Sequence, residues 1–389
     1  MMFQLKNKMA REEFLKIAKQ APNPSYVMDE VALVENMKVL QSVEKNSGVN
    51  ILCALKGFAM WSMFPIMRNY ISGATASSLN EAKLCFEEFG KKAHCCFVVY
   101  LEEEFEEVLK IASHITFNSL SQYNKFKKYI ALNPEIKFAI RLNPQFSQVG
   151  VEKYNPCMPG SRFGVTPDLF PEVLPEGITG IHVHALCESS SEELANLVDF
   201  MDEKFGHLFH QCEWVNLGGG HHITKEGYDT ELLEQTLANF KQNYNLKELM
   251  IEPGEAMGWR TGVLLSRIED VVYSGNQKIY MLNVSFSAHM PDCLEMPYQP
   301  AVVGEDDKNP EVVLGGNTCM SGDFLDGFKL PNNLKEGDDV IFEDMMHYTF
   351  VKTTTFNGVP QPGLASVTLK GELKIIKEFS YEDFKNRLS

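Results

Sequence analysis

The chain has 389 residues, 44% of them hydrophobic, and a formal net charge of −16 at pH 7. This length suits one large domain or two moderate ones. The acidic balance argues against nucleic-acid and anionic-membrane partners, which bind through basic patches.

The first twenty residues mix both charges and lack the apolar core of a signal peptide, and no run approaches the roughly 20 apolar residues of a membrane span. The nine cysteines are odd in number, irregularly spaced and free of any C-x-x-C pair. We therefore expect neither a disulfide framework nor a structural zinc site. A reducing compartment fits this pattern, and the protein is expected to be soluble and cytoplasmic.

Residues 25–45, SYVMDEVALVENMKVLQSVEK, predict a strand and then a helix that leads into a barrel. From 50 to 260, short apolar runs alternate with segments of helical pattern such as 78–90 and 101–114. This alternation predicts a parallel sheet, and eight such runs predict a closed (β/α)8 barrel. The runs are 51–55, 74–77, 95–100, 114–117, 137–142, 180–186, 213–217 and 249–251. Residues 144–175, rich in Pro and Gly, predict an extended loop over the barrel mouth.

After about residue 265, strand-like segments alternate with turns rich in Gly, Asn, Asp and Pro, and helical pattern is scarce. The sequence therefore predicts an α/β protein, a (β/α)8 TIM barrel plus a C-terminal mostly β domain. The barrel is expected at 40–265. Residues 1–39 and 266–389 are expected to form the β-sheet domain, which the strand near residue 25 joins.

Most of the candidate residues follow predicted barrel strands, at the face where barrel enzymes place their sites. Lys56 ends the run ILCALK, and a desolvated lysine there would be a nucleophilic amine suited to an aldehyde cofactor. The alternative is a surface lysine whose stem lies along the strand. The segment WVNLGGGHH (214–222) carries Gly218, Gly219 and Gly220, whose backbone could close on a phosphate or form an ordinary turn.

The run GIHVHALCES places His182 and His184 on one face of a strand. They could pack on a flat cofactor, bind a metal, or be buried histidines with ordinary hydrogen bonds. Glu252 and Glu255 follow another strand in MIEPGEAMG. A carboxylate there could bind a protonated ring nitrogen, or both acids could be solvated in a turn.

Two further segments lie in the predicted β domain. Cys319 stands among small residues in GGNTCMSGD, where it is either accessible or a small buried apolar residue. The segment HYTFVKTTTFNG offers the hydroxyl of Tyr348 within a β-rich run, or a plain strand.

Together and in this order, the segments from about 25 to 356 resemble the fold-type III pyridoxal-phosphate decarboxylases, which act on ornithine, arginine, diaminopimelate and carboxynorspermidine. The resemblance implies a pyridoxal 5'-phosphate-binding barrel with a β domain and a homodimer with shared active sites. It implies that Lys56 is the Schiff-base lysine, that His184 stacks on the pyridine ring, and that Glu252 pairs with the ring nitrogen. It further implies that Gly218, Gly219, Gly220 and Tyr348 lie near the phosphate. Cys319 would reach the partner subunit's site and protonate Cα of the substrate.

Several positions depart from the common family pattern. Glu255 replaces the arginine of EPGR, Met320 replaces the acid after the cysteine, and ALCES replaces the Gly-Ser after the ring histidine. Asp292 falls where ornithine decarboxylases bind the distal amine. Arg141 and Arg162 match basic positions near the site.

We therefore expect Glu255 and Asp292 to bind a cationic tail, in the branch that decarboxylates carboxynorspermidine or carboxyspermidine. Ornithine or arginine decarboxylation is the alternative within the family. Outside it, His182, His184, His221 and His222 could serve a metal-dependent barrel hydrolase. A non-catalytic regulator on the same fold is a further alternative.

Overall fold

A computed structural model describes residues 2–389, with side chains from residue 10 onward. The chain divides into two compact units: Glu35–Met257, and Met1–Val34 with Gly258–Ser389. The chain begins with α1 (Met2–Ala18), β1 (Ser25–Asp29) and α2 (Glu30–Ser47), so the predicted strand and helix near residue 25 are confirmed.

The unit Glu35–Met257 is a closed barrel of eight parallel strands, as predicted. Each strand pairs with the next, and the last returns to the first. The strands are β2 (Asn50–Ala54), β3 (Gly73–Ala76), β4 (Ala93–Cys95), β5 (Ala112–Phe117), β6 (Lys137–Leu142), β7 (Ile178–Val183), β8 (Trp214–Asn216) and β9 (Glu248–Ile251).

The barrel helices are α3 (Phe64–Met67), α4 (Leu79–Leu84), α5 (Glu102–Ile111), α6 (Leu120–Phe126), α7 (Ser191–Phe209), α8 (Thr230–Asn243) and α9 (Glu255–Gly258). A π-helical turn, Cys85–Phe89, extends α4. Several of the helices begin where a Ser or Asp side chain accepts a backbone N–H three residues later, which satisfies a donor that the helix itself leaves unpaired. These capping residues are Ser78, Ser119, Ser190 and Asp229.

One predicted strand is misplaced. The apolar run 95–100 was expected to be a strand, but β4 ends at Cys95 and the rest is a loop. The Tyr100 hydroxyl donates to the carbonyl oxygens of Cys95 and Thr116, and its ring stacks on Phe97 at 4.6 Å. Phe97 and Tyr100 therefore fill the core from a loop. A periodicity argument cannot distinguish such a loop from a strand.

The long segment after β6 is irregular, as predicted. It returns to the barrel at Val165, which pairs with Leu142 in parallel. Asn118 fastens this return, since its side chain bonds the carbonyl of Arg162 and the amide of Gly164, each at 2.9 Å.

A polar cluster lies among strand residues remote from the carboxyl ends. His94 and His114 stack with ring centroids 3.9 Å apart, and Nε2 of His114 lies 3.1 Å from a Glu248 oxygen. Lys137 pairs with the other oxygen. The hydrogen bond from His114 lowers the pKa of Glu248 to about 2. Lys137 adds to this effect, and partial burial opposes it.

The second unit is a mixed eight-stranded sheet, which confirms the predicted β domain. Its strands run in the order β13-β12-β11-β10-β1-β15-β16, and β14 also pairs with β10. They are β10 (Gly262–Ser274), β11 (Gln277–Leu282), β12 (Glu311–Gly315), β13 (Phe324–Lys329), β14 (Asp339–Glu343), β15 (Gly363–Val367) and β16 (Leu373–Lys377). The short helices are α10 (Phe286–His289), α11 (Pro291–Glu295), α12 (Tyr348–Val351) and α13 (Tyr381–Lys385).

β1 joins this sheet between β10 and β15, as expected. β13 was not anticipated, because its sequence FLDGFK carries Asp and Gly, which are depleted in strands. Within the described residues, no helix is long and apolar enough to span a membrane.

Candidate active site

Lys56 lies in the turn that follows β2. Its neighbours Leu55 and Phe58 are buried, but the lysine side chain itself is exposed, so the expected desolvation of this amine is wrong. A Cβ on Gly57 would lie 3.0 Å from Cα of Gly254, and this close approach brings the turn beside the EPG turn after β9. The lysine charge acts electrostatically on Glu252 there.

His184 follows β7 and is half-buried. Its Nδ1 accepts the backbone N–H of Gly219 at 2.9 Å. Burial, together with the neighbouring charges of Lys56 and Arg141, holds the pKa of His184 well below its usual range. The ring is therefore neutral, with its proton on Nε2.

His182, two residues earlier on β7, is 2% exposed and lies between two acidic groups. Its Nε2 is 3.6 Å from a Glu252 oxygen, an ion-pair distance, and its Nδ1 is 3.9 Å from the Cys96 sulfur. Burial alone would lower the pKa of His182, but Cys96 and Glu252 raise it to about 9. The sequence analysis did not identify Cys96, because the residue belongs to no motif and meets His182 only through the barrel.

Glu252 follows β9 and is buried. Burial alone would raise its pKa, but His182, Lys56 and a hydrogen bond from Asn216 lower it to about 2. The Asn216 amide donates to Glu252 Oε1 at 2.7 Å, and its oxygen accepts the Gly218 N–H at 2.8 Å. Asn216 therefore ties the carboxylate to the glycine loop. The one sequence signal for Asn216 was its polar side chain inside the apolar segment WVNL.

The three glycines after β8 lie against backbone atoms of the neighbouring strand ends. A Cβ would lie 2.6 Å from the Val183 carbonyl oxygen at Gly218, 2.4 Å from that of Glu252 at Gly219, and 2.3 Å from that of Leu186 at Gly220. Gly218 and Gly220 also have positive φ, 72° and 93°, which a side chain would strain.

Two of the three amides in this loop are already engaged, by Asn216 and His184. Among the residues that the structure describes, none accepts a hydrogen bond from the Gly220 N–H.

Glu255 begins α9, and its Oε2 lies 3.1 Å from Nε2 of His222, a buried residue that follows the glycine loop. The carboxylate expected to bind a cationic tail therefore already pairs with a histidine. Burial lowers the pKa of the neighbouring His221 to about 4. His182, His184 and His222 thus make separate contacts, and neither ring nitrogen of His221 has a hydrogen-bond partner among the described residues. The described residues contain no group of three or more His, Cys, Asp or Glu arranged to hold a metal ion.

Arg141 in β6 is buried and stacks on Phe163, with 4.6 Å from its guanidinium carbon to the ring centroid. Arg162 stacks on the same ring at 4.3 Å. Arg141 also lies 3.5 Å from the carbonyl oxygen of His184. It therefore braces the segment that carries the ring histidine.

In the sheet unit, Asp292 is 6% exposed and begins α11 together with Pro291. Its Oδ2 accepts hydrogen bonds from Tyr298 and Thr349, both at 2.7 Å. Across residues 2–389, its Oδ1 has no hydrogen-bond partner. Sequence reasoning did not identify Tyr298, six residues after Asp292, or Thr349, which is 57 residues away, because neither belongs to a motif with Asp292.

Cys319 is exposed, in the loop between β12 and β13. Asp323 accepts the amide and the hydroxyl of Thr318, at 3.1 and 2.5 Å, and Asn357 accepts the Cys319 amide at 2.8 Å. The loop thus has a fixed backbone beneath an accessible thiol.

Tyr348 is half-buried and begins α12, so the expected β-rich run is wrong. The helical turn directs Thr349 to Asp292 and packs Phe350 edge-on to Tyr26 at 5.6 Å. These tertiary contacts override the β propensity of the segment.

Comparison with known proteins extends over nearly the whole chain. Residues 25–346 match the family described as pyridoxal-dependent decarboxylase, C-terminal sheet domain. A carboxyaminopropylagmatine decarboxylase from Synechocystis is 43% identical over 372 residues, covering 94% of this chain and 95% of that protein. A carboxynorspermidine/carboxyspermidine decarboxylase from Campylobacter jejuni is 40% identical over 378 residues, covering 94% and 98%.

Among solved structures, the carboxynorspermidine decarboxylase of Campylobacter jejuni complexed with norspermidine has a TM-score of 0.86 and 37% identity. It covers 94% of this chain and 100% of its own. These matches favour a decarboxylase over the metal-dependent hydrolase that the histidines left open. The chain belongs to the family of pyridoxal-dependent decarboxylases.

Proposed function

We propose that this enzyme decarboxylates carboxynorspermidine or carboxyspermidine to norspermidine or spermidine. The observation that carries the proposal is the buried carboxylate of Asp292, which has one oxygen fixed by two hydroxyls and one without a partner in the described chain. Such an oxygen accepts a hydrogen bond from an ammonium group, which the substrate tail supplies. The 40% identical relative and the solved relative with norspermidine support the same substrate class.

The barrel residues fit pyridoxal phosphate. Glu252 is ionised, as a partner of a protonated ring nitrogen must be. His184 is neutral and held in one orientation, as a residue that stacks on a ring should be. Glycine is required at Gly220 by its packing and conformation, and its N–H has no acceptor within the described chain, so this amide is available to a phosphate oxygen.

When bound, pyridoxal phosphate supplies an electron sink for the carbanion left by departing CO2. Lys56 would hold the cofactor aldehyde through its exposed amine. Glu252 would keep the ring nitrogen protonated, because an adjacent carboxylate favours the charged form. His184 would fix the ring plane. Cys319 would give a proton to Cα of the substrate.

Glu255 is proposed to act on the substrate tail together with His222. Its Oε2 already faces His222 at 3.1 Å, so the pair would bind an amine through a carboxylate whose orientation is preset. The variant Glu255→Ala should raise KM for the triamine about tenfold or more, since a charge-assisted hydrogen bond contributes roughly 1.5–3 kcal/mol. The variant His222→Asn is the matched test of orientation. Unchanged KM in both variants would remove Glu255 from the substrate site.

The decisive assay is CO2 release by the purified protein with added pyridoxal phosphate. Carboxynorspermidine, carboxyspermidine, carboxyaminopropylagmatine, ornithine, arginine and diaminopimelate form the panel. A preference for a carboxy-triamine is the expected result. The second candidate is carboxyaminopropylagmatine, favoured by the 43% identical relative. A preference for ornithine or arginine would contradict the proposal, and no release from any substrate by a cofactor-loaded protein would favour a non-catalytic regulator.

A homodimer with shared sites is part of the proposal, with Cys319 and Tyr348 completing the site near the cofactor. The exposed Cys319 on a fixed loop supports it. Mixing inactive Lys56→Ala and Cys319→Ala subunits should restore about a quarter of wild-type activity, because half the dimers would be mixed and each would hold one intact site. No recovery after exchange of subunits would contradict shared sites.

The free cysteines also support a cytoplasmic location.

A further inference from the structure

His182 lies between a thiol and a carboxylate, and the three groups come from three different strands of the barrel. Cys96 follows β4, His182 lies in β7 and Glu252 follows β9. The Cys96 sulfur is 3.9 Å from Nδ1 of His182, and a Glu252 oxygen is 3.6 Å from Nε2. Both ring nitrogens of a 2% exposed histidine therefore face acidic groups. The roles assigned above use Glu252 but neither Cys96 nor His182.

The other charged and titratable groups around His182 come from several strands. Arg141 on β6 is its register partner, and it acts on Cys96 and Glu252. Lys56 after β2 acts on Glu252. His94 on β4 and His184, which follows β7, are both neutral. The carboxylate and the thiol are the groups that favour a proton on His182.

Cys96 differs from the other cysteines of the barrel. Burial raises the pKa of Cys53, Cys85, Cys157, Cys187 and Cys212, and burial with neighbouring acids raises that of Cys95. Burial alone would raise the pKa of Cys96, but the charge and hydrogen bond of His182 together with the charge of Arg141 lower it. Cys96 is half-buried and lies beside the ring of His182. Its thiol therefore interacts with the charge of the histidine and does not act only as an apolar side chain.

We propose that Cys96 is a positioning residue of the active site, which together with Glu252 holds His182 as a buried cation. This cation in turn keeps Glu252 ionised and aligned for the ring nitrogen of the cofactor. Cys96 touches neither substrate nor cofactor in this role. The inference rests on the proposed function only in assigning Glu252 to the ring nitrogen.

The test is a pH titration of the absorption band of the bound cofactor, recorded on the holoenzyme without substrate. Wild type, Cys96→Ala and Cys96→Asp are compared, and Cys187→Ser serves as the control because that half-buried barrel thiol keeps its proton. Removing the acidic neighbour makes His182 lose its proton more readily. On the basic side of the titration, the absorption band should change where His182 loses its proton. In Cys96→Ala this basic transition should therefore move to lower pH by about one to three units, the size of a charge interaction at this distance. Cys96→Asp supplies an acidic group at the same position and should return the transition towards the wild-type position.

An unchanged basic transition in Cys96→Ala would overturn the inference, and so would equal shifts in Cys96→Ala and Cys96→Asp. If Cys96→Asp fails to fold, the comparison of Cys96→Ala with wild type and with Cys187→Ser decides alone. Because the titration uses no substrate, a shift together with inactivity on every polyamine would contradict the proposed function and leave this inference standing. Activity on a polyamine without a shift in the titration would support the proposed function and overturn this inference.

Discussion

Asn216 offers the sharpest test of how the site is held together, because its amide joins Glu252 to the glycine loop. The variant Asn216→Asp keeps the acceptor for the Gly218 N–H but replaces the donor at 2.7 Å from Glu252 by a second carboxylate oxygen. Two carboxylates at this distance cannot both remain ionised without a large electrostatic cost. The pair should therefore hold one proton between them.

The free-energy cost of keeping that proton bound sets the size of the expected loss in stability. A carboxyl group with an ordinary pKa of about 4 needs about 1.4 kcal/mol per pH unit to stay protonated, hence about 4 kcal/mol at pH 7 and about 1.4 kcal/mol at pH 5. His182 and Lys56 offset part of the repulsion, so we expect a loss of about 2–4 kcal/mol in the free energy of unfolding at pH 7. The folded-state pKa of the shared proton is raised above its unfolded value, so stability is lost as pH rises and regained as pH falls.

Urea unfolding of wild type and variant at pH 5, 6 and 7 measures this dependence. Asn216→Ala is the matched control, because it loses both hydrogen bonds and adds no charge. Its deficit relative to wild type should stay nearly constant over the same range. The reasoning fails if the Asn216→Asp deficit is independent of pH or equals that of the alanine variant throughout.

Three further results are expected. Gly219→Ala should weaken binding of pyridoxal phosphate at least tenfold in a fluorescence titration, because its Cβ would lie 2.4 Å from a backbone carbonyl oxygen, and wild-type affinity would contradict the tight packing of the loop. Tyr298→Phe removes one hydrogen bond to Asp292 and should raise KM for the triamine several-fold with little change in kcat; an unchanged KM would argue against Asp292 as a tail-binding group. Glu248 has a pKa lowered to about 2, chiefly by its hydrogen bond with His114, so its contribution to stability is present above about pH 4.5 and is lost as pH falls towards 2. The difference in unfolding free energy between wild type and Glu248→Gln should therefore shrink between pH 5 and pH 3, and a constant difference would contradict this assignment.

The barrel and the sheet were predictable because their signals are local. Apolar runs at regular spacing marked the eight barrel strands, and β1 could be assigned to the sheet before its partners were known. The errors occurred where tertiary contacts decide the outcome. Phe97 and Tyr100 fill the core from a loop. Residues around Tyr348 form a helical turn because Thr349 and Phe350 have partners elsewhere in the sheet unit.

The residues of the candidate site likewise include some that the sequence could predict and some that it could not. Residues in short motifs, such as Lys56 and Glu252, could be identified by their position after predicted strands. The contacts of Cys96 with His182 and of Asn216 with Glu252 could not, because the partners come from strands far apart in sequence. The sequence left open whether the Lys56 side chain is desolvated or at the surface, since the end of a buried strand does not determine which way the following turn directs it, and the structure shows it exposed.

The distribution of the nine thiols has a practical consequence. All nine cysteines lie in the described part of the chain, and Cys319 is the one exposed among them, with Cys96 and Cys187 half-buried and the rest buried. A bulky maleimide dye should therefore label the native protein mainly at the loop between β12 and β13. Labelling measured over a dilution series would then report whether a second subunit covers that loop, so the enzyme carries its own attachment point for following self-association without an engineered cysteine.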